Sequence, residues 1–322
     1  MNFAKRALLA TLASLPLGMA FAQDAFPSRP ITIVVPYPAG GTSDSQVRMI
    51  QEPLQKLLGQ PVVVDNKPGA SGAIAAQAVA RAKADGYTLL YPNNGLLIAP
   101  LLNRQAGYEP LRDFKPVSVT TSVPMVLVAN KGVPANNLNE FLQYAKAQAN
   151  GIMYASAGTA SYGHLASTRL SQMANLKVNH VPYRGEANTT MAVRTGEVQM
   201  LLTTPSPAML GLVSQGQLTM LGVATDKPSP VVPGVPTIAS VLPGFTAEVW
   251  FGLLAPAGTP DDVVNKLNAA VKKVMAEETI RNKMLASGAV PRTTSSTEFM
   301  SLMTRETVMW SQLIAKHNIR AD

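Results

Sequence analysis

Ser161 and His164 are the closest this chain comes to a catalytic pair. They stand one helical turn apart in Gly158-Thr159-Ala160-Ser161-Tyr162-Gly163-His164, so a hydroxyl and an imidazole can share one helix face. A serine nucleophile needs a base within hydrogen-bond reach and a third group to orient that base. No acid stands nearby in sequence, and the Gly-x-Ser-x-Gly turn of α/β-hydrolases is absent. A secreted serine hydrolase using Ser161 and His164 is therefore the alternative reading, behind a binding protein without catalysis. The three histidines, His164, His180 and His317, have no metal-ligand spacing. The chain has no cysteine, which removes thiolate chemistry, disulfides and Cys-ligated metals. No dinucleotide loop or P-loop lysine occurs, and no cofactor is expected.

The remaining chemistry is anion binding. The β-branched run Ile31 to Val35 stops at Pro36 and Pro38. Gly40 and Gly41 follow, then the helix-start residues Thr42, Ser43 and Asp44, any of which can cap a helix carrying Val47, Ile50, Leu54 and Leu57. A strand running through a glycine turn into a helix leaves unpaired N–H groups at the positive end of a dipole. The bland role of Asp44 is that of a cap. A second stretch of the same kind runs from Ile152–Ala155 through Ser156-Ala157-Gly158-Thr159-Ala160-Ser161 into a helix with Leu165, Leu170 and Met173. Arg184, after a strand end, is either a surface arginine or a carboxylate clamp or interdomain pair.

These residues need elements to hold them. Strands are predicted at Ile31–Val35, Pro61–Val64, Thr88–Tyr91, Val123–Ala129, Ile152–Ala155, Val178–Tyr183, Val198–Leu202, Leu218–Ala224 and Phe251–Ala255. Helices fall between them, with Asp113–Pro116 as a connection and Asp226–Pro236 irregular. Thr259 reads as the cap of a helix with Pro260 at its first position. The last helix, about Thr297 to Lys316, should bury Phe299, Leu302, Met303, Trp310, Leu313 and Ile314. The alternation predicts α/β architecture with parallel sheets and helices on both faces. Ligands of such sheets sit beyond the carboxyl ends of the strands, which puts the loops after Val35 and Tyr91 in one cleft. The two glycine loops lie about one domain's length apart, as in two domains facing each other.

Lys5 and Arg6, the apolar stretch Ala7–Met19 and the small-x-small run Ala20-Phe21-Ala22 read as a signal peptide cleaved after about Ala22. The mature protein is expected in the periplasm. The formal charge is +8, with lysines and arginines scattered rather than in runs. That suits anionic solutes and gives no nucleic-acid footprint.

Longer stretches carry a family resemblance. Pro36-Tyr37-Pro38-Ala39-Gly40-Gly41-Thr42-Ser43-Asp44, Val64-Asp65-Asn66-Lys67-Pro68-Gly69-Ala70-Ser71-Gly72 and Ala84-Asp85-Gly86-Tyr87-Thr88-Leu89-Leu90 resemble the Bug family of periplasmic receptors of tripartite tricarboxylate transport. So do Ala155-Ser156-Ala157-Gly158, His164-Leu165-Ala166, His180-Val181-Pro182-Tyr183-Arg184-Gly185 and Trp250 through Pro260. The resemblance spans the mature chain in order. It implies a two-domain Venus-flytrap fold with two chain crossovers, 23–123 and 251–322 forming one domain and 124–250 the other. It implies a small organic carboxylate held by Tyr37, Ala39, Gly40, Ser43, Asp44, Asn93 and Asn94 from the first domain. From the second it implies Ser156, Gly158, Thr159, Ser161 and His164, with Tyr183, Thr203 and Thr204 further off. The partners implied are that ligand and the membrane components of the transporter; nucleic acid is not among them, and a monomer is expected. The chain departs from the family at Leu202-Thr203-Thr204, where members carry an aspartate, at Asn188 and Ala192, where they have Pro and Asp, and at the bulky Tyr162. Hydroxyls at Thr203-Thr204, two helix N-termini on opposite walls, and Tyr37 and Tyr162 as flat walls together predict an amine-free dicarboxylate. An aromatic one such as terephthalate is a candidate beside an aliphatic one.

Overall fold

Most apolar runs become strands where the sequence alternation places them, in a computed structural model that describes residues 26–320. The run expected as one strand at Val123–Ala129 is split at Met125 between two strands of different sheets. The signal-peptide segment lies outside the described residues. In chain order the first elements are β1 (Ile31–Val35), α1 (Thr42–Leu58), β2 (Val62–Asn66), α2 (Ala73–Ala80), β3 (Thr88–Leu90), α3 (Gly95–Leu102), α4 (Pro110–Asp113) and β4 (Phe114–Pro124). Then come β5 (Val126–Asn130), α5 (Leu138–Ala147), β6 (Ile152–Ser156), α6 (Tyr162–Met173), β7 (Val178–Pro182), α7 (Glu186–Thr195), β8 (Met200–Thr203), α8 (Pro207–Ser214) and β9 (Leu218–Val223). The chain ends with β10 (Glu248–Pro256), α9 (Asp261–Ala276), α10 (Glu278–Ala286), β11 (Val290–Pro291) and α11 (Ser296–Lys316).

The strands make a six-stranded sheet, β11-β4-β10-β3-β1-β2, and a five-stranded sheet, β7-β6-β8-β5-β9. Neither is wholly parallel, which corrects the sequence expectation. β1 is parallel to β2 and β3, and β6 to β7 and β8. β10 is antiparallel to β3 and β4, β11 to β4, and β5 to β8 and β9. Parallel pairing needs a helical crossover. β4 passes into β5, in the other sheet, through Met125 alone, so no such crossover constrains these strands. The chain returns at Glu248, which pairs with Pro124, so the two crossings lie side by side.

Two further expectations fail for local reasons. Phe114–Pro116 belongs to β4 rather than to a connection. Pro116, which lacks an N–H, sits opposite a register shift between Leu253 and Leu254 of β10. Thr259 does not cap α9: its hydroxyl donates to the Pro256 carbonyl at 2.8 Å, and Pro260 occupies the N-cap. In α11, Phe299 and Met303 pack into the first domain, Phe299 edge-on to Trp250 at 5.1 Å. Trp310, Leu313 and Ile314 meet Ile98 of α3 and Leu165 of α6, so this helix seals one flank of the junction between the domains.

Candidate functional site

The first wall is the turn from β1 into α1. Gly40 has φ +81°, a conformation a side chain would strain. Gly41 stands at the N-cap and brings no side chain to the first N–H groups of α1. Asp44 is buried and reaches back to accept the Gly40 N–H at 2.9 Å, one residue before the N-cap, and so braces the turn rather than capping the helix. Its other oxygen takes Arg48 Nε at 2.9 Å, and this guanidinium holds the Asp44 carboxyl below the usual carboxylate range. Arg48 Nη2 donates to Asn66 Oδ1 at 3.2 Å, and Asn66 Nδ2 donates to the Tyr37 carbonyl at 3.1 Å. The Tyr37 hydroxyl donates to Asn93 Oδ1 at 2.6 Å, which also accepts the Gly95 N–H at 2.8 Å. Burial pushes that hydroxyl up to about 12, so it stays a proton donor. One chain of bonds thus ties the loops after β1, β2 and β3 together. Ala39 and Gly40 form its exposed tip, and Ser43 is buried behind them.

The second wall is the turn from β6 into α6. Gly158, at φ +132°, lets the loop turn. Ser156 Oγ donates to the Gly158 carbonyl at 2.8 Å and lies 2.7 Å from His180 Nε2, which therefore supplies the proton between them. Ser161 caps α6, its hydroxyl oxygen accepting the His164 N–H at 3.3 Å, which leaves its proton free to donate. His164 Nδ1 accepts the Ala160 N–H at 2.9 Å, and the ring stacks on His180 at 3.8 Å. Burial, then the His180 and His317 charges, push His164 down to about 4. Ser161 bonds the backbone of His164 while its ring faces Ala160 and His180, so the pair is not a nucleophile and base. Thr159 is half-buried on the loop.

Other expected residues are placed elsewhere. Asn94 is 1% exposed, with Nδ2 donating to Glu306 Oε2 at 2.9 Å and the Glu248 carbonyl at 3.2 Å, and Oδ1 accepting the Trp250 N–H at 3.0 Å. Its amide is held by the crossing strand and by Glu306 of α11. Tyr162 does not wall a cleft: its ring meets Trp310 edge-on at 5.4 Å, and its hydroxyl donates to the Glu248 carbonyl at 3.0 Å. The Glu248 carbonyl thus receives a donor from each wall, and the two loops meet at the crossing. The Tyr183 ring packs in the second domain's core. Thr203 is buried at the end of β8, and Thr204 Oγ1 donates to Glu186 Oε1 at 3.4 Å. Arg184 is exposed. Sequence reasoning missed Arg48, Asn66, Glu186, Glu248 and Glu306. Asn66 lies inside the Val64–Gly72 stretch, and Arg48 four residues after Asp44 is a helical pair spacing, so both left a signal; Glu306 left none.

Two α/β domains joined by adjacent crossings, each offering a helix-starting loop at the junction, define the two-domain class of solute-binding proteins. Residues 46–319 match the tripartite tricarboxylate transporter family receptor family, TctC, and the chain belongs to it; its members are receptors, not enzymes. The UPF0065 protein in the tcbD-tcbE intergenic region of a Pseudomonas species is 35% identical over 93% of this chain and 89% of its own length. BugT of Bordetella pertussis is 31% identical over 90% of each. A TctC solute-binding protein from Polaromonas superposes with TM-score 0.81 at 30% identity, over 90% of this chain and 99% of that one. An R. palustris protein with adipate gives 0.73 at 32% identity, over 92% of this chain and 100% of that one. MatC from Rhodopseudomonas palustris with bound malate gives 0.68 at 33% identity, over 90% and 100%. The periplasmic binding protein BugD gives 0.69 at 30% identity, over 92% and 100%.

Proposed function

We propose that this receptor carries an amine-free dicarboxylate, one carboxylate seated at the N-terminus of α1 and the other at the Ser156–Ser161 loop. The observation that carries this reading is the state of Asp44. Its carboxylate is spent on Arg48 and the Gly40 N–H, so the first wall offers donors and no free anion for an ammonium group. Adipate and malate, held by two relatives, are both amine-free diacids. With Tyr162 packed on Trp310, one of the two flat walls for a ring is gone, which favours an aliphatic chain over terephthalate. Ala39, Gly40, Ser43 and Asn93 are the proposed contacts on one side, and Gly158, Thr159 and Ser161 on the other. The domains proposed to close on the ligand are 23–123 with 251–322, and 124–250. Export with cleavage after about Ala22, a monomeric receptor and delivery to the transporter's membrane components complete the proposal.

A thermal-shift screen of succinate, malate, adipate, citrate, terephthalate, aspartate and glutamate tests it. A ligand at a hundred times its Kd stabilises the folded state by about 2.7 kcal/mol, a shift of several degrees. The aliphatic diacids should give it. Stabilisation by aspartate and glutamate alone would show that Glu186, beside Thr204, supplies the acid for an amine.

A further inference from the structure

α1 turns Val47, Ile50 and Leu54 into the first domain's core, and Gln46 breaks this apolar face. Gln46 is 1% exposed. The Thr121 hydroxyl donates to its Oε1, while its Nε2 is shut off from solvent with no partner among the described residues. Turning the amide over only exchanges one unpaired atom for the other. The residues flanking Thr121 in β4 are satisfied: Tyr91 and Thr120 pair at 2.7 Å, Thr120 reaches the Phe251 carbonyl at 3.2 Å, and Ser122 reaches Glu248 Oε1 at 3.0 Å. A buried donor without a partner is costly and rare, and an aliphatic side chain would fill this position without the cost.

The position explains the exception. Gln46 follows Ser43 by three residues, about 4.5 Å along the helix axis, so it lies at the same end of α1 as the free N–H groups. Thr121, which holds the amide, pairs with Phe251 and Pro291 near the crossing. The next residue, Ser122, pairs with Val290. Two residues before Val290, a side-chain carbon at Gly288 would come within 3.7 Å of the Pro205 carbonyl of the second domain. The unpaired amide therefore lies at the N-terminal end of α1, beside the last residues of β4 before the crossing into the second domain.

We propose that Gln46 is a specificity-determining residue of the ligand site, its amide donating to the carboxylate seated at the N-terminus of α1. Backbone N–H groups donate to any anion; a side chain fixed by Thr121 selects how that anion is oriented and which chain length follows it. The assignment rests on the proposed carboxylate seat at α1.

Calorimetric titration of succinate, malate and adipate into wild type, Gln46→Met and Thr121→Val tests it, with the melting temperature of each unliganded protein. Gln46→Met should weaken the best-bound diacid tenfold or more and alter the order of preference among the three, without lowering the unliganded melting temperature. Thr121→Val, which keeps the amide but frees it, should give a smaller loss of the same kind. Affinities within twofold of wild type in both variants would overturn the assignment, and a melting temperature lowered with affinity unchanged would assign the amide to internal packing or a buried water. Failure of wild type itself to bind any of the three would overturn the carboxylate seat, and the two failures are separated by that first titration.

Discussion

At the scale of single residues, the site is built from side chains that hold a loop more than from side chains that face outward. Asp44 illustrates this. Its folded-state carboxyl is held below its ordinary range by Arg48, so its stabilising effect is present above the unfolded value and is lost as pH falls through the folded one. Asp44→Asn should lower stability by about 1–2 kcal/mol at pH 7 and flatten the loss of stability below pH 4. Parallel acid-unfolding curves for mutant and wild type would mean that the pair contributes nothing. Ser161 is the opposite case. Its oxygen is engaged by the His164 N–H, but its proton is available to a carboxylate. Ser161→Ala should therefore cost both about 1 kcal/mol of helix-capping stability and ~1.5–3 kcal/mol of ligand affinity. Calorimetry on the folded mutant separates the effects, and unchanged affinity would leave the residue as a cap alone.

At the scale of elements, the strands most readily legible in the sequence are those whose apolar runs sit between turn signals. β1 and the helix after it are read correctly because Ile31–Val35 ends at prolines and glycines, but the cap falls on Gly41 rather than on Thr42, Ser43 or Asp44. β4 was not legible in full. Asp113–Pro116 read as a connection, and the buried Ser118, Thr120, Thr121 and Ser122 after it break the apolar run; their partners Thr294, Tyr91, Gln46 and Glu248 come from elsewhere in the chain. The roles of Asn94 and Tyr162 were hidden for a similar reason, since both are fixed by Glu248 and by α11, far along the chain. α11 also brings Glu306 under the crossing, where Asn94 and Trp250 Nε1 donate to it at 2.9 and 3.0 Å. Burial pushes its carboxyl up to about 7. A folded value above the unfolded one favours the fold at low pH, and that contribution is lost as pH rises through about 7. Glu306→Gln should keep both bonds without the charge, removing this slope and raising stability at pH 8 by about 1 kcal/mol. A mutant melting temperature that falls between pH 5 and 8 as steeply as that of wild type would exclude Glu306 as its source.

At the scale of the molecule, two sheets are joined by crossings that pair at Glu248 and Pro124, and each contributes one donor-rich loop. Adjacent crossings form a natural hinge, because few backbone angles need to change. The radius of gyration from solution scattering should fall on saturation with a bound diacid, and an unchanged radius would count against closure. On the proposed function the site takes two carboxylates and refuses an ammonium. Succinate and aspartate share one carbon skeleton and differ by the amino group alone, so calorimetric titration of both into the same protein isolates that charge preference. Succinate binding at least tenfold tighter than aspartate is the expected result, and aspartate binding the tighter of the two would contradict it.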